Sequence, residues 1–254
     1  EQWRARRDRA KHRHVLEVAH RLPEARRQVV EHLAMPRLTR EKALAVAFRL
    51  LDRGAFRVGG EAYAARHQTY GLATLRKDHL RITRDGQLEF RFVAKSGQQH
   101  YLLLSDDDVL SPLGTLRRRR GGGPDLLAYR NGQGWADITS AHINEYLKEL
   151  LGPDASAKDF RTWRGTVLAA VTLARSEETT TKRQRQAAVR AAVTRVSEEL
   201  GNTPTVARSS YIDPNVIDAF EHGRTIPADA GTPEETGSFR SLSPAERAVL
   251  DLLG

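Results

Sequence analysis

The 254 residues include 41 lysines and arginines against 32 aspartates and glutamates, a formal net charge of +9, and no cysteine. Disulfides, thiolate nucleophiles and cysteine zinc sites are thereby excluded, and no apolar run is long enough to span a bilayer. With 39% hydrophobic and 29% charged residues, the chain reads as a soluble globular protein able to bury a real core. Its positive balance favours a polyanionic partner, nucleic acid first. Only seven of the basic residues are lysine; a GC-rich genome explains arginine over lysine, but not basic over acidic. The lack of cysteine fits an intracellular protein, and no charged, apolar, small-residue leader is visible at the start.

In chain order, residues 2–20 place Arg4, Arg6, Arg7, Arg9 and Lys11 ahead of Val15, Leu16 and Val18, a basic helix or a basic approach to one. Leu22-Pro23 opens a second helical pattern through Leu33. Thr39 is an N-cap for a third helix, with Glu41 in its first turn and Gly54 closing it. Residues 79–105 change period. Two alternating runs flank the Asp85-Gly86 turn, and a third follows Lys95-Ser96-Gly97, which predicts an antiparallel three-stranded meander with Lys95 at a tip. Asp106 to Arg117 reads as a helix running into Arg117-Arg118-Arg119-Arg120 and a glycine run, either a phosphate-holding cluster or a solvated loop. Leu126 to Tyr129 is a short strand, and Gly132 and Gly134 mark a turn. Helices are expected at 139–151, 157–175 and 182–200, then at 214–221; residues 223–241 read as a linker before a last helix through Leu253. The fold class is mainly α with one small antiparallel sheet (α+β): a domain over 1–222, and a linker with a short helix over 223–254.

The stretch Gly201-Asn202-Thr203-Pro204-Thr205-Val206-Ala207-Arg208-Ser209-Ser210-Tyr211 breaks the preceding helical pattern. It passes as an ordinary inter-helix connector, except that it ends in a tyrosine close behind an arginine. A phenol there, with arginines in reach, is able to attack a phosphate.

Four segments together resemble the type IB DNA topoisomerases, in the compact branch found in bacteria and poxviruses. They are Phe56-Arg57-Val58-Gly59 with Tyr63-Ala64, Gly71-Leu72-Ala73-Thr74-Leu75-Arg76 and His79; Phe92-Val93-Ala94-Lys95-Ser96-Gly97; Ala157-Lys158-Asp159-Phe160-Arg161-Thr162-Trp163; and the stretch ending at Tyr211. They stand in the family's order at close to its spacing, over roughly residues 1–222. The resemblance implies the catalytic fold shared with tyrosine recombinases and an active site of Arg57, Lys95, Arg161, Asn202 and Tyr211. Tyr211 would attack a backbone phosphodiester to give a 3′-phosphotyrosyl ester, which conserves the bond energy and needs no ATP to rejoin the strand. Phenols ionise near pH 10, so a positive surround is needed. Arg57 and Arg161 would supply it and clamp the non-bridging oxygens, Asn202 would hydrogen-bond one of them, and Lys95 would protonate the leaving 5′-oxygen. Three cations then do what magnesium does elsewhere in phosphoryl transfer, so no metal and no cofactor is expected. The expected partner is double-stranded DNA, bound by a nucleoid-associated cytoplasmic monomer. Lys158, Arg76 and Tyr63, with Arg117 and Arg118 from the arginine run, are the candidate DNA contacts.

Three positions depart from the family pattern. Asn202 stands where many relatives carry histidine, Ala94 where glycine usually precedes the lysine, and His67 where asparagine is common. The family's β-rich amino-terminal lobe is not represented, so the chain is expected to act as a catalytic-domain fragment that binds DNA weakly and with strong salt dependence. Two rival readings stand beside this one. A tyrosine recombinase usually carries histidine three residues before the second arginine, where this chain has Lys158, and the helix at 243–253 is a candidate for exchange between subunits. A non-catalytic basic DNA-binding module would use the charge alone. A metal-dependent nuclease finds no Asp/Glu/His cluster at ligand spacing.

Overall fold

The structure is a computed structural model and describes residues 2–176, 180–232 and 239–254, with only the backbone of residues 2–9, Tyr63 and Ser96. The chain divides into two compact units, Glu1–Glu24 with Asp159–Gly254, and Ala25–Lys158.

The chain enters through α1 (Gln2–Leu33), which runs unbroken through Pro23. Two helices were expected here. Proline inside a helix costs about 3 kcal/mol, but the buried stripe Val15, Val18, Ala19, Leu22, Ala25, Val29 and Leu33 keeps helical spacing on both sides of it. Continuous burial of that stripe outweighs the lost bond.

The unit Ala25–Lys158 is built around α2 (Arg40–Gly54). Thr39 caps it as expected, its hydroxyl accepting the Lys42 N–H at 3.3 Å. Ala55, not Gly54, takes the left-handed turn, with φ 48°. Gly54 is glycine for space, because a Cβ there would lie 2.5 Å from the Phe56 ring. Arg26 grips Asp52 through two bonds of 2.9 Å, tying the end of α1 to α2. After α3 (Glu61–His67) comes the meander: β1 (Leu80–Ile82), β2 (Leu88–Val93) and β3 (Gln99–Leu104), antiparallel in sequential order. Its alternation puts Leu88, Phe90 and Phe92 into the core, where Phe90 meets Phe56 edge-on at 5.1 Å. Tyr101 and Leu103 face outward.

Next, α4 (Asp107–Arg118) is capped by Asp106, whose carboxylate also holds the buried Arg49 at 2.5 Å. A second sheet follows, a hairpin of β4 (Ala128–Asn131) and β5 (Gly134–Asp137). The sequence predicts only its first strand; the second is four residues long and includes glycine and aspartate, so it shows no alternation. Of the arginine run, Arg119 is neither phosphate-facing nor solvated. Its buried guanidinium donates to the carbonyls of Leu116 and Leu126, both at 2.9 Å, and to those of Gly123 and Asp125. It knots the glycine loop from inside. The unit closes with α5 (Ser140–Leu151), where Glu61 accepts both the N–H and the hydroxyl of Ser140 at 2.6 and 2.9 Å.

The other unit takes in most of α6 (Ala157–Ala174), together with α7 (Lys182–Leu200), α8 (Pro204–Ser210), α9 (Pro214–Glu221) and α10 (Pro244–Leu253). The stretch before Tyr211, expected as a connector, contains α8, with Thr203 as N-cap and Pro204 in the first turn. A Thr-Pro pair is itself a helix-start signal. The final helix is packed into its unit: Trp163 of α6 donates its indole N–H to the buried Glu246 of α10 at 3.0 Å.

Candidate active site

Three of the five expected catalytic residues meet in the unit formed by Glu1–Glu24 and Asp159–Gly254. Arg161 lies in the second turn of α6, 4% exposed, with its guanidinium 5.0 Å from the centroid of the Tyr211 ring. A guanidinium at that distance from a phenol face is held by the ring's negative π cloud. One Nη of Arg161 also donates to the carbonyl of Leu200 at 2.7 Å. The carboxamide of Asn202 donates to the same carbonyl at 3.3 Å, so one backbone oxygen aligns two side chains.

The sequence dictates this convergence through the end of α7. Gly201 adopts the left-handed conformation with φ 57°, the N–H of Asn202 bonds back to the carbonyl of Ser197 at 2.9 Å, and that of Gly201 to Glu198 at 3.2 Å. This is the six-to-one and five-to-two pairing of a Schellman end, and it leaves the Leu200 carbonyl to side-chain donors.

Tyr211 is half-buried at the end of α8, with φ −131° and ψ −4°. Its own N–H bonds the carbonyl of Ala207 at 3.0 Å. Three neighbours that the sequence reading missed hold the turn in place. Gly165 of α6 lies so close that a Cβ there would stand 2.5 Å from the Tyr211 carbonyl oxygen. Thr166 accepts the N–H of Asp213 on its hydroxyl at 3.0 Å. Lys11 of α1 donates from Nζ to the carbonyl of Ser210 at 2.6 Å. Gly165 left a signal: glycine inside a helix costs about 1 kcal/mol against alanine, so it stands there for a reason of space.

Arg57 and Lys95 belong to the other unit. Arg57 follows the buried Phe56 anchor, and its carbonyl accepts the N–H of Leu72 at 2.8 Å. Beside it the backbones of Gly59 and Gly71 nearly touch; a Cβ on Gly71 would meet Gly59 N at 2.5 Å and the Arg57 carbonyl at 2.7 Å. The Phe-Arg-Val-Gly and Gly-Leu-Ala-Thr segments thus mate backbone to backbone, which fixes the strand of chain that presents Arg57. Lys95 is exposed in the 3-10 turn Lys95–Gly97 between β2 and β3, where Gly97 takes φ +73°. Ala94 is extended (φ −89°, ψ −179°) and buried. Any residue adopts that conformation, so alanine in place of the family's glycine leaves the tip undistorted.

Among the candidate DNA contacts, Lys158 is exposed in the first turn of α6. Arg76 is half-buried, its Nε 3.4 Å from Asp78, and its N–H donates to His79 Nδ1 at 3.1 Å. Arg117 reaches back to the carbonyl of Leu80 at 2.7 Å through Nε, and Arg118 is exposed at the end of α4. The side chain of Tyr63 lies outside the described residues.

A family model described as the catalytic core of eukaryotic DNA topoisomerase I matches residues 1–222. The chain belongs to the DNA topoisomerase I catalytic-core family. Two curated relatives agree. A DNA topoisomerase 1B of Acanthamoeba polyphaga mimivirus is 22% identical over 209 residues, covering 79% of this chain and 61% of the viral protein. A DNA topoisomerase 1 of Daucus carota is 28% identical over 130 residues, covering 51% of this chain and 15% of the plant protein. The chain therefore spans less than two thirds of either relative. The mainly helical architecture with its small antiparallel meander is the type IB topoisomerase catalytic fold. Among the described residues, no helix is long and apolar enough to cross a membrane.

Proposed function

We propose that this chain relaxes supercoiled double-stranded DNA by cutting and resealing one strand through a covalent bond to Tyr211. The observation that carries the reading is the Tyr211 phenol facing the Arg161 guanidinium at 5.0 Å, with Asn202 held on the same Leu200 carbonyl as Arg161. Arginine beside a phenol, with an amide donor alongside, suits attack on a phosphodiester.

In the forward step the phenol oxygen of Tyr211 forms a bond to phosphorus, the bond from phosphorus to the 5′-oxygen breaks, and the phenolic proton leaves to solvent. Arg161 and Arg57 hold the non-bridging oxygens, whose charge rises in the five-coordinate transition state. Asn202 adds a neutral hydrogen bond, the role open to a carboxamide where many relatives use histidine. Lys95, exposed on its hairpin tip, delivers a proton to the departing 5′-oxygen. The cut strand swivels, and the 5′-hydroxyl then attacks the phosphotyrosine in the exact reverse. One ester replaces another, so no ATP is consumed. The cationic side chains neutralise the phosphate, the task given to metal ions in other phosphoryl transfers. Lys158, Arg76, Arg117 and Arg118 supply phosphate contacts, which set position rather than sequence. The working form is a monomer on double-stranded DNA in the nucleoid of a bacterial cytoplasm.

The test is relaxation of supercoiled plasmid in EDTA without ATP, wild type beside Tyr211→Phe. Relaxation by wild type alone, with 3′-phosphate label trapped on the protein, is the expected outcome. Trapping on a nicked oligonucleotide with no relaxation would move the reading to a recombinase-like strand transferase, and loss of neither activity in Tyr211→Phe would refute the assignment.

A further inference from the structure

We infer that the Lys11–His12 turn of α1 is a positioning clasp for Tyr211, an inference that rests on Tyr211 being the nucleophile. The clasp lies within one compact unit, since Glu1–Glu24 groups with Asp159–Gly254.

The peptide group joining Ser210 to Tyr211 is held at both ends. Its N–H bonds to Ala207 at 3.0 Å, and its carbonyl receives the Lys11 ammonium at 2.6 Å. The last carbonyls of a helix have no partner within the helix, and here the partner is a cation, the stronger kind of donor. Fixing that peptide plane fixes the direction in which the Tyr211 side chain leaves the backbone. On the far side of the tyrosine, His12 Nδ1 lies 3.9 Å from the Asp213 carboxylate, with both side chains buried. Asp213 is itself anchored, its N–H on Thr166 and its carboxylate accepting the N–H of Asn215 at 2.9 Å.

Two residues further along α1, His14 Nε2 lies 3.5 Å from the carboxylate of Asp159, two residues before Arg161. A single stretch of α1 therefore touches the residue before the nucleophile, the second residue after it, and the start of the helix carrying its arginine. Tyr211, the C-cap of α8 with φ −131° and ψ −4°, is thus held from both flanks. Positioning of this kind is where rate is gained, since reacting groups displaced by about 1 Å lose about a hundredfold.

The test compares Lys11→Met, Lys11→Arg and Arg13→Met with wild type. Arg13 is exposed on the same turn, so Arg13→Met removes equal charge without touching the clasp. At saturating suicide oligonucleotide, Lys11→Met is expected to slow single-turnover trapping about ten- to a hundredfold, the loss that follows when a reacting group shifts by up to about 1 Å. Lys11→Arg recovers part of the rate, Arg13→Met keeps the wild-type rate and melting temperature, and Lys11→Met stays folded with its melting temperature lowered by about 3–10 °C. Hydrogen exchange at the amides of 211–213 gives a readout independent of chemistry and should quicken in Lys11→Met alone. Equal losses in Lys11→Met and Arg13→Met, a loss confined to DNA affinity, or unchanged exchange would each overturn the clasp. Wild-type protein that traps no DNA overturns the nucleophile assignment instead, while the exchange result still decides whether the clasp exists.

Discussion

Alanine at position 165 isolates the placement of Tyr211 from its chemistry. The added methyl carbon would sit 2.5 Å from the Tyr211 carbonyl oxygen and 3.3 Å from Leu200 Cδ1. An ordinary carbon–oxygen contact is roughly 3.3 Å, so the Tyr211 backbone or α6 must yield by on the order of 0.8 Å. The obstructing atom is backbone, and Asp213 two residues on is pinned to Thr166, so the strain cannot be shed by turning a side chain. A displacement on the order of 1 Å lowers a well-aligned reaction about a hundredfold. Stability should suffer much less. Overpacking costs about 1–3 kcal/mol, and replacing glycine by alanine within a helix returns about 1 kcal/mol, leaving a net loss of about 0–2 kcal/mol. Gly165→Ala is therefore expected to fold and to bind DNA, yet to trap a suicide oligonucleotide about a hundredfold more slowly at saturation. Calorimetry and single-turnover trapping on the same preparation check this. Wild-type trapping by a folded Gly165→Ala protein would show that the Gly165–Tyr211 contact does not govern attack.

Two further outcomes follow from the Ala25–Lys158 unit. Arg119→Met strips four carbonyls of their buried donor and should cost about 3 kcal/mol or more in urea unfolding, whereas the neighbouring exposed Arg118→Met should stay within about 0.5 kcal/mol; similar losses for both would contradict the internal role of Arg119. His79 is held below its ordinary value of 6.5 by burial, with Arg76 adding to the shift and Asp78 opposing it. Below that value the unfolded chain takes up the proton first, so the stability associated with a neutral His79 is complete above pH 6.5 and declines as pH falls through the folded-state value. Melting curves across this range should be flatter for His79→Gln than for wild type, and parallel curves would exclude His79 as the source.

The sequence made the meander, the Thr39 cap and the long helices legible because each rests on local period or local capping chemistry. Asn202 was legible for its type, and its placement followed from a glycine just past a helix end. The supporting shell was not legible. Lys11 and Ser210 are 199 residues apart, and nothing local in either marks the other. Arg119 is indistinguishable from its three neighbours in a run of four, since only the folded glycine loop decides which guanidinium turns inward. The continuity of α1 was hidden for the opposite reason: Pro23 is a strong local signal, and a buried stripe running through it overrode that signal.

Arg161 and Asn202 both register on the carbonyl of Leu200, a group that no amino-acid replacement can delete. Side-chain drift at position 200 is therefore constrained by the core it fills, with the alignment of the two donors left intact. Chain length is another matter. Removing one residue from α7 would turn its end by roughly 100° and carry that oxygen away from Arg161. The length of α7 is thus fixed more firmly than the identity of its residues, and a library of deletions within Lys182–Leu200 should be far more damaging than a library of substitutions.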